Sequence, residues 1–88
     1  MSTVLSETDL TAITADAVVD ARGAACPGPL LEAKKSMASV AVGGVLELWS
    51  TDAQTKIDVH AWSDKVGHEF LGHLPAEGYE RVFIRRVK

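Results

Sequence analysis

Two prolines flanking a glycine, Pro27-Gly28-Pro29, stand between a short apolar stretch and a longer amphipathic one. Proline has no amide hydrogen and holds φ near about −65°, so it fits the first turn of a helix, where a donor has no intrahelical acceptor anyway. A strand before this point and a helix after it are the expected outcome. Ala17, Val18 and Val19 supply the strand, closed by Asp20 and Gly23. From Leu30 the apolar residues Leu30, Ala33, Met37 and Val40 recur at three- and four-residue steps, with Glu32, Lys35, Ser36 and Ser39 on the other side, the pattern of an amphipathic helix of about three turns.

The rest of the chain continues the alternation. Gly43-Gly44 turns it, and Val45 to Trp49 is β-prone. Thr51 and Gln54 have capping-box spacing ahead of a second helix over Ile57 to Val66, with Val59, Trp62 and Val66 as its buried stripe and Gly67 as its stop. Two further β-prone segments, His68 to Leu74 and Arg81 to Val87, are joined by the turn-rich Pro75-Ala76-Glu77-Gly78 and read as a hairpin. In the last strand one face is expected to be buried and the other partly wet. The order is βαβαββ. Strands separated by a helix favour parallel pairing, and a hairpin is antiparallel. The expected fold is therefore an α/β (α+β) two-layer sandwich, a mixed four-stranded sheet with both helices on one face. Residues 1–16 lack bulky periodic apolar residues and read as a flexible extension outside the core; residues 17–88 form the domain.

At 88 residues there is room for one domain, and a hydrophobic fraction of 47% with 24% charged residues excludes a disordered or fibrous chain. A single cysteine excludes an internal disulfide and, with no secretory leader pattern, points to the reducing cytoplasm. No apolar run approaches the roughly 18 residues of a membrane span, so no membrane contact is expected. The net charge of −3 is uneven. Residues 1–20 hold Glu7, Asp9, Asp16 and Asp20 and no lysine or arginine, whereas the remainder is close to neutral. Nucleic acid demands a clustered basic surface, and the only candidate is Arg81, Arg85, Arg86 and Lys88 on the last strand. Such a run more often solvates a sheet edge, and direct nucleic-acid binding is not expected.

Cys26 carries the chemistry. If Pro27 is the first helical residue, Cys26 is the N-cap, its sulfur facing the positive end of the helix dipole, with Gly28 NH as the available donor because Pro27 and Pro29 have none. Thiols so placed ionise below the usual value of about 8.5, which makes a nucleophile. The alternative is a small apolar core residue, but a core cysteine needs neither flanking proline nor a capping position. With no second cysteine, dithiol redox chemistry is excluded and another molecule must complete the reaction. His60, His68 and His73 lack metal-ligand spacing, so no metal is expected; Trp49 and Trp62 read as core.

Cys26-Pro27-Gly28-Pro29, entered from Val18-Val19-Asp20-Ala21-Arg22-Gly23 and followed by Leu30-Leu31-Glu32-Ala33-Lys34-Lys35, resembles the TusA (SirA-like) family of sulfur-carrier proteins, and the likeness runs from about Ala17 to Lys88. The resemblance implies a two-layer βαβαββ sandwich and a sulfurtransferase-type relay in which Cys26 accepts sulfane sulfur as a persulfide and passes it on. It implies no cofactor beyond that covalently carried sulfur. It further implies donor and acceptor proteins as partners, rhodanese-like and DsrE-like, in cytoplasmic oxidation of reduced sulfur compounds. Relatives also serve tRNA 2-thiouridine synthesis, and a thiol-based redox regulatory module is a third reading of the same thiol. Asp52-Ala53 stands where many members have Asp-Pro, which touches partner choice and not the sulfur site. Arg22, Lys34 and Lys35 are the candidate contacts to acidic partners.

Overall fold

A computed structural model describes residue 13, residues 15–24 and residues 28–88. Among these, the elements are β1 (Ala17–Asp20), α1 (Gly28–Met37), β2 (Val45–Ser50), α2 (Thr55–Val66), β3 (Glu69–Ala76) and β4 (Tyr79–Arg85). The sheet order is β1-β2-β4-β3, with β1 and β2 parallel and the other neighbours antiparallel. One cluster joins Ala33 and Met37 of α1, Val59 of α2, and Leu46, Leu48, Phe70, Val82 and Ile84 of the sheet. Both helices therefore cover the same face, as the element order implied.

The first helix opens at Gly28, within the expected Pro-Gly-Pro run, and ends at Met37, short of the expected Val40. Pro29, Ala33 and Met37 are its buried residues, and Val40, just beyond it, is also buried. Its end is tied to the far end of the chain: Arg86 Nη1 donates to Met37 O, the last carbonyl of the helix, at 3.3 Å and to Val40 O, just beyond it, at 2.6 Å. A cation there complements the negative end of the helix dipole.

The second helix departs from expectation. It starts at Thr55, and its N-cap Gln54 makes no side-chain capping bond. The expected capping box does not form because its partners are used elsewhere: Thr51 Oγ1 accepts from Gly23 N at 2.9 Å, and Gln54 N donates instead to Asp52 Oδ1 at 2.9 Å. The buried stripe is Thr55, Val59 and Ser63. Trp62 is half-buried against the core, and Val66 is exposed. Small hydroxyl residues fit here because their polar atoms are satisfied at once: Ser63 Oγ donates to Val59 O at 2.8 Å, and Thr55 Oγ1 lies 2.7 Å from Ser50 Oγ. The helix stops where expected, at Gly67 with φ of 88°, a left-handed conformation that glycine adopts without steric cost.

In the hairpin, β3 runs on through Pro75 and Ala76, leaving Glu77-Gly78 as the turn. Proline is tolerated because β3 is the sheet's edge. Leu71 takes the opposite face from Phe70 by ordinary strand alternation, and the register shift between Phe70 and Gly72 lets Leu74, three residues on, share that face. There Val45, Leu71, Leu74 and Phe83 form a second buried cluster. Ile13 and Ala15, ahead of the boundary expected at residue 17, pack against it. Asp16 N donates to Val45 O and Val45 N to Asp16 Oδ2, each at 2.8 Å. The face expected to be partly wet is thus sealed at Phe83 while Arg85 beside it is exposed.

On the same helix-free face, Glu47 is only 5% exposed. It accepts from Trp49 Nε1 at 2.5 Å and from Arg81 at 2.8 and 3.2 Å. Burial pushes its pKa up, but the hydrogen bonds from Arg81 and Trp49 outweigh that effect and leave it below the ordinary carboxylate value.

Phe83→Ala should lower the unfolding free energy by about 3–5 kcal/mol, while Arg85→Ala should change it by less than about 1 kcal/mol; urea titration measures both. Because Glu47 has a lowered folded pKa, its contribution is complete above the unfolded value of 4.5 and is lost as pH falls through the folded one. Urea midpoints followed from about pH 6 to about pH 3 should therefore fall more steeply for the wild type than for Glu47→Gln.

Candidate functional site at the start of the first helix

β1 delivers the chain to the end of the sheet at which α1 begins. Ala21 is buried and its N–H donates to Trp49 O at 2.9 Å, prolonging the β1–β2 pairing by one residue. The chain then turns at Gly23, with φ of 86°, and Ala24 N closes the turn on Ala21 O at 3.2 Å. Gly23 N is tied to Thr51 Oγ1, which fastens this turn to the segment between β2 and α2. Cys26 and Pro27 lie outside the described residues. Description resumes at Gly28, where a Cβ would stand 3.3 Å from the Ala24 side chain, so a larger residue would press on the turn. Pro29 is fully buried, and Leu30 packs against the main core. The described residues on either side of 25–27 are thus tied to the sheet and core.

Arg22 is held from three sides. Its Nε and Nη2 donate to the two oxygens of Asp20 at 2.8 and 2.7 Å. Its guanidinium carbon lies 5.0 Å from the ring centres of both Trp49 and Tyr79, whose own centres are 5.3 Å apart. Hydrogen bonds from the Arg22 side chain and backbone hold the Asp20 carboxyl down at about 2. Lys34 and Lys35 are exposed and fall in the last turn of α1. Trp49 alternates with the core residues Leu48 and Ser50, so Arg22 lies toward the helix-free face and the lysines belong to the helical layer. The structure does not bring the three basic residues together.

Trp49, read from sequence as core, is instead a half-buried platform for Arg22, and Tyr79 was not singled out at all. The period-two pattern Val45, Glu47, Trp49 carried the signal: a carboxylate between two apolar residues marks a face that is not the main core. The other sequence candidates have internal partners. His60 stacks on Phe70 with ring centres 4.3 Å apart, His73 Nδ1 lies 3.0 Å from Glu80, and His68 Nδ1 accepts from Val87 N. Among the described residues no group of three His, Cys, Asp or Glu is arranged to hold a metal ion. Arg81 and Arg85 pair with Glu47 and Glu69, and Arg86 caps α1, so the basic run is spent largely inside the fold. An open apolar groove between α2 and β3, lined by Ile57, His60, Ala61 and Phe70, lies on the other half of the helical layer. Among the described residues no helix is long and apolar enough to cross a membrane.

The family model described as Sulfurtransferase TusA matches residues 17–86. A protein of Archaeoglobus fulgidus named "Putative sulfur carrier protein" is 42% identical over 71 residues, which cover 81% of this chain and 97% of that one. The sulfur carrier protein TusA of Pseudomonas entomophila is 35% identical over 77 residues, 88% of this chain and 96% of its own. The crystal structure of a SirA-like protein from Desulfitobacterium hafniense has the same fold, with a TM-score of 0.71 at 24% identity, covering 82% of this chain and 99% of that one. With its strand order, its helix placement and most of its length accounted for by these matches, this chain belongs to the TusA family.

Proposed function

We propose that this chain is a sulfur carrier that holds sulfane sulfur as a persulfide on Cys26 and passes it to a partner protein. One conjunction supports the reading: the sole cysteine of a TusA-family chain stands two residues before the first residue of α1, in the sequence Cys26-Pro27-Gly28-Pro29. Related proteins bear the name of sulfur carriers. A helix N-terminus favours an anion, and this applies to a thiolate and to a persulfide alike.

In the relay, the Cys26 thiolate attacks the outer sulfur of a donor persulfide. The Cys26 S–S bond forms, the donor S–S bond breaks, and the donor leaves as a thiolate. An acceptor thiolate then attacks the outer sulfur on Cys26, takes it with its proton, and releases Cys26 as thiolate. Sulfane sulfur changes hands with no net oxidation, so no cofactor or metal is required. Gly28 and Pro29 open α1, and of these two Gly28 alone keeps an amide hydrogen, a donor for an anion at the helix start. Arg22 on one layer, and Lys34 and Lys35 on the other, present basic groups to acidic partner surfaces. The partners are sulfur donor and acceptor proteins, rhodanese-like and DsrE-like, in cytoplasmic relay during oxidation of reduced sulfur compounds.

Intact-mass spectrometry after incubation with a sulfane donor should show the wild type gaining one sulfur atom and Cys26→Ser gaining none; an unmodified wild type overturns the carrier reading. Capture with the persulfidated protein from cells oxidising reduced sulfur should return rhodanese-like and DsrE-like proteins. Recovery of tRNA-thiolation proteins in their place overturns the pathway while leaving the carrier intact.

A further inference from the structure

We propose that Arg22 is a positioning residue: laid over Trp49 and Tyr79 and forked onto Asp20, it fixes the incoming end of the segment that carries Cys26 and thereby sets the reactivity of that thiol. The purpose of such a clamp rests on the persulfide reading; its effect on the thiol is measurable without it.

The clamp spans three strands, because Asp20 ends β1, Trp49 lies on β2 and Tyr79 opens β4. Its aromatic floor is itself immobilised. The indole Nε1 of Trp49 is bonded to Glu47, which the Arg81 guanidinium holds from the other side. Arginine suits the position because its planar fork satisfies a carboxylate bidentately while its face lies on aromatic rings; lysine, a point charge, has no fork and cannot make both contacts at once. Immediately after Arg22, the bond from Gly23 N to Thr51 Oγ1 and the approach of Gly28 to Ala24 carry a fixed geometry forward to the start of α1. The side chains of Arg22 and Asp20 are 44% and 49% exposed, and a pair this open contributes little to global stability. The contact is therefore dispensable for folding and local in effect. Its charge is also matched: with the Asp20 carboxyl held at about 2, the pair stays zwitterionic throughout the range in which a thiol titrates. Toward the thiol, Arg22 therefore acts through geometry and not through a change of charge.

Cys26 is the only cysteine, so alkylation by iodoacetamide across a pH series reads this thiol alone. Arg22→Ala and Arg22→Lys should both move the alkylation profile to higher pH and slow the reaction near neutrality, by up to about tenfold, within the range that small misplacements cost a reactive group. Tyr79→Phe, which keeps the ring, should match the wild type. Tyr79→Ala should reproduce Arg22→Ala, and the double variant should be no slower than either alone. Circular dichroism and urea midpoints close to the wild type show that folding is not the cause, and the Tyr79 pair repeats the test if Arg22→Ala is destabilised. A wild-type profile in Arg22→Lys would mean that charge and not the clamp matters, and an unchanged profile in Arg22→Ala together with Tyr79→Ala overturns the proposal outright. Failure of the wild type to load sulfur while the alkylation profiles still shift removes the persulfide reading and leaves the clamp. Normal loading with identical profiles does the reverse.

Discussion

Insertion of β4 between β2 and β3 is the contact on which the rest of the structure depends. Val82, Phe83 and Ile84 are consecutive and each is 0% exposed, so this strand is sealed on both faces. Val82 and Ile84 close the core beneath the helices, and Phe83 anchors the second cluster on the opposite face. A sheet with one solvated face normally alternates apolar and polar residues; a run of three buried residues requires cover on both sides. Here that cover comes from the two helices on one face and from Ile13 and Ala15 on part of the other.

The consequence for the site follows through register. β4 enters the sheet at Tyr79, at the end where β1 and β2 finish and α1 starts. Its pairing sets Arg81 opposite Trp49 and Val82 opposite Leu48. This brings the ring of Tyr79 beside Trp49 and places the Arg81 guanidinium against Glu47. A row of groups results on the helix-free face, running Arg81, Glu47, Trp49, Arg22, Asp20, in which each polar group is paired and each ring is in contact. Buried carboxylates are tolerated only when so satisfied. The helical face carries the larger core, and the opposite face carries the second cluster together with the clamp proposed for Arg22.

Much of this was legible in the residues because it depended on local rules. Two prolines at the head of an amphipathic run fixed where α1 could begin, Gly67 ended α2, and the order of strand and helix patterns led to the observed mixed sheet. The capping box at Thr51 and Gln54 was not formed because a distant donor, Gly23 N, claimed the Thr51 hydroxyl. The apolar stripe of α2 was misplaced because Thr55 and Ser63 are buried through hydrogen bonds that hydrophobic periodicity does not register. Ile13 and Ala15 looked dispensable because two modest apolar residues carry no periodic signal.

The chain's sequence by itself determined the family, the order of the elements, and the single thiol on which the proposed sulfur chemistry rests. Those follow from residue types and short spacings, which act within one turn of helix or a few residues of strand. Only the tertiary structure decided that Arg22 rests on two aromatic rings, that Arg86 caps a helix end 49 residues away, and that Arg22 lies on a different layer from Lys34 and Lys35. Such pairings arise when sheet register brings distant side chains to one edge. Register is a property of the assembled sheet, set by how alternate faces are buried and by turn geometry.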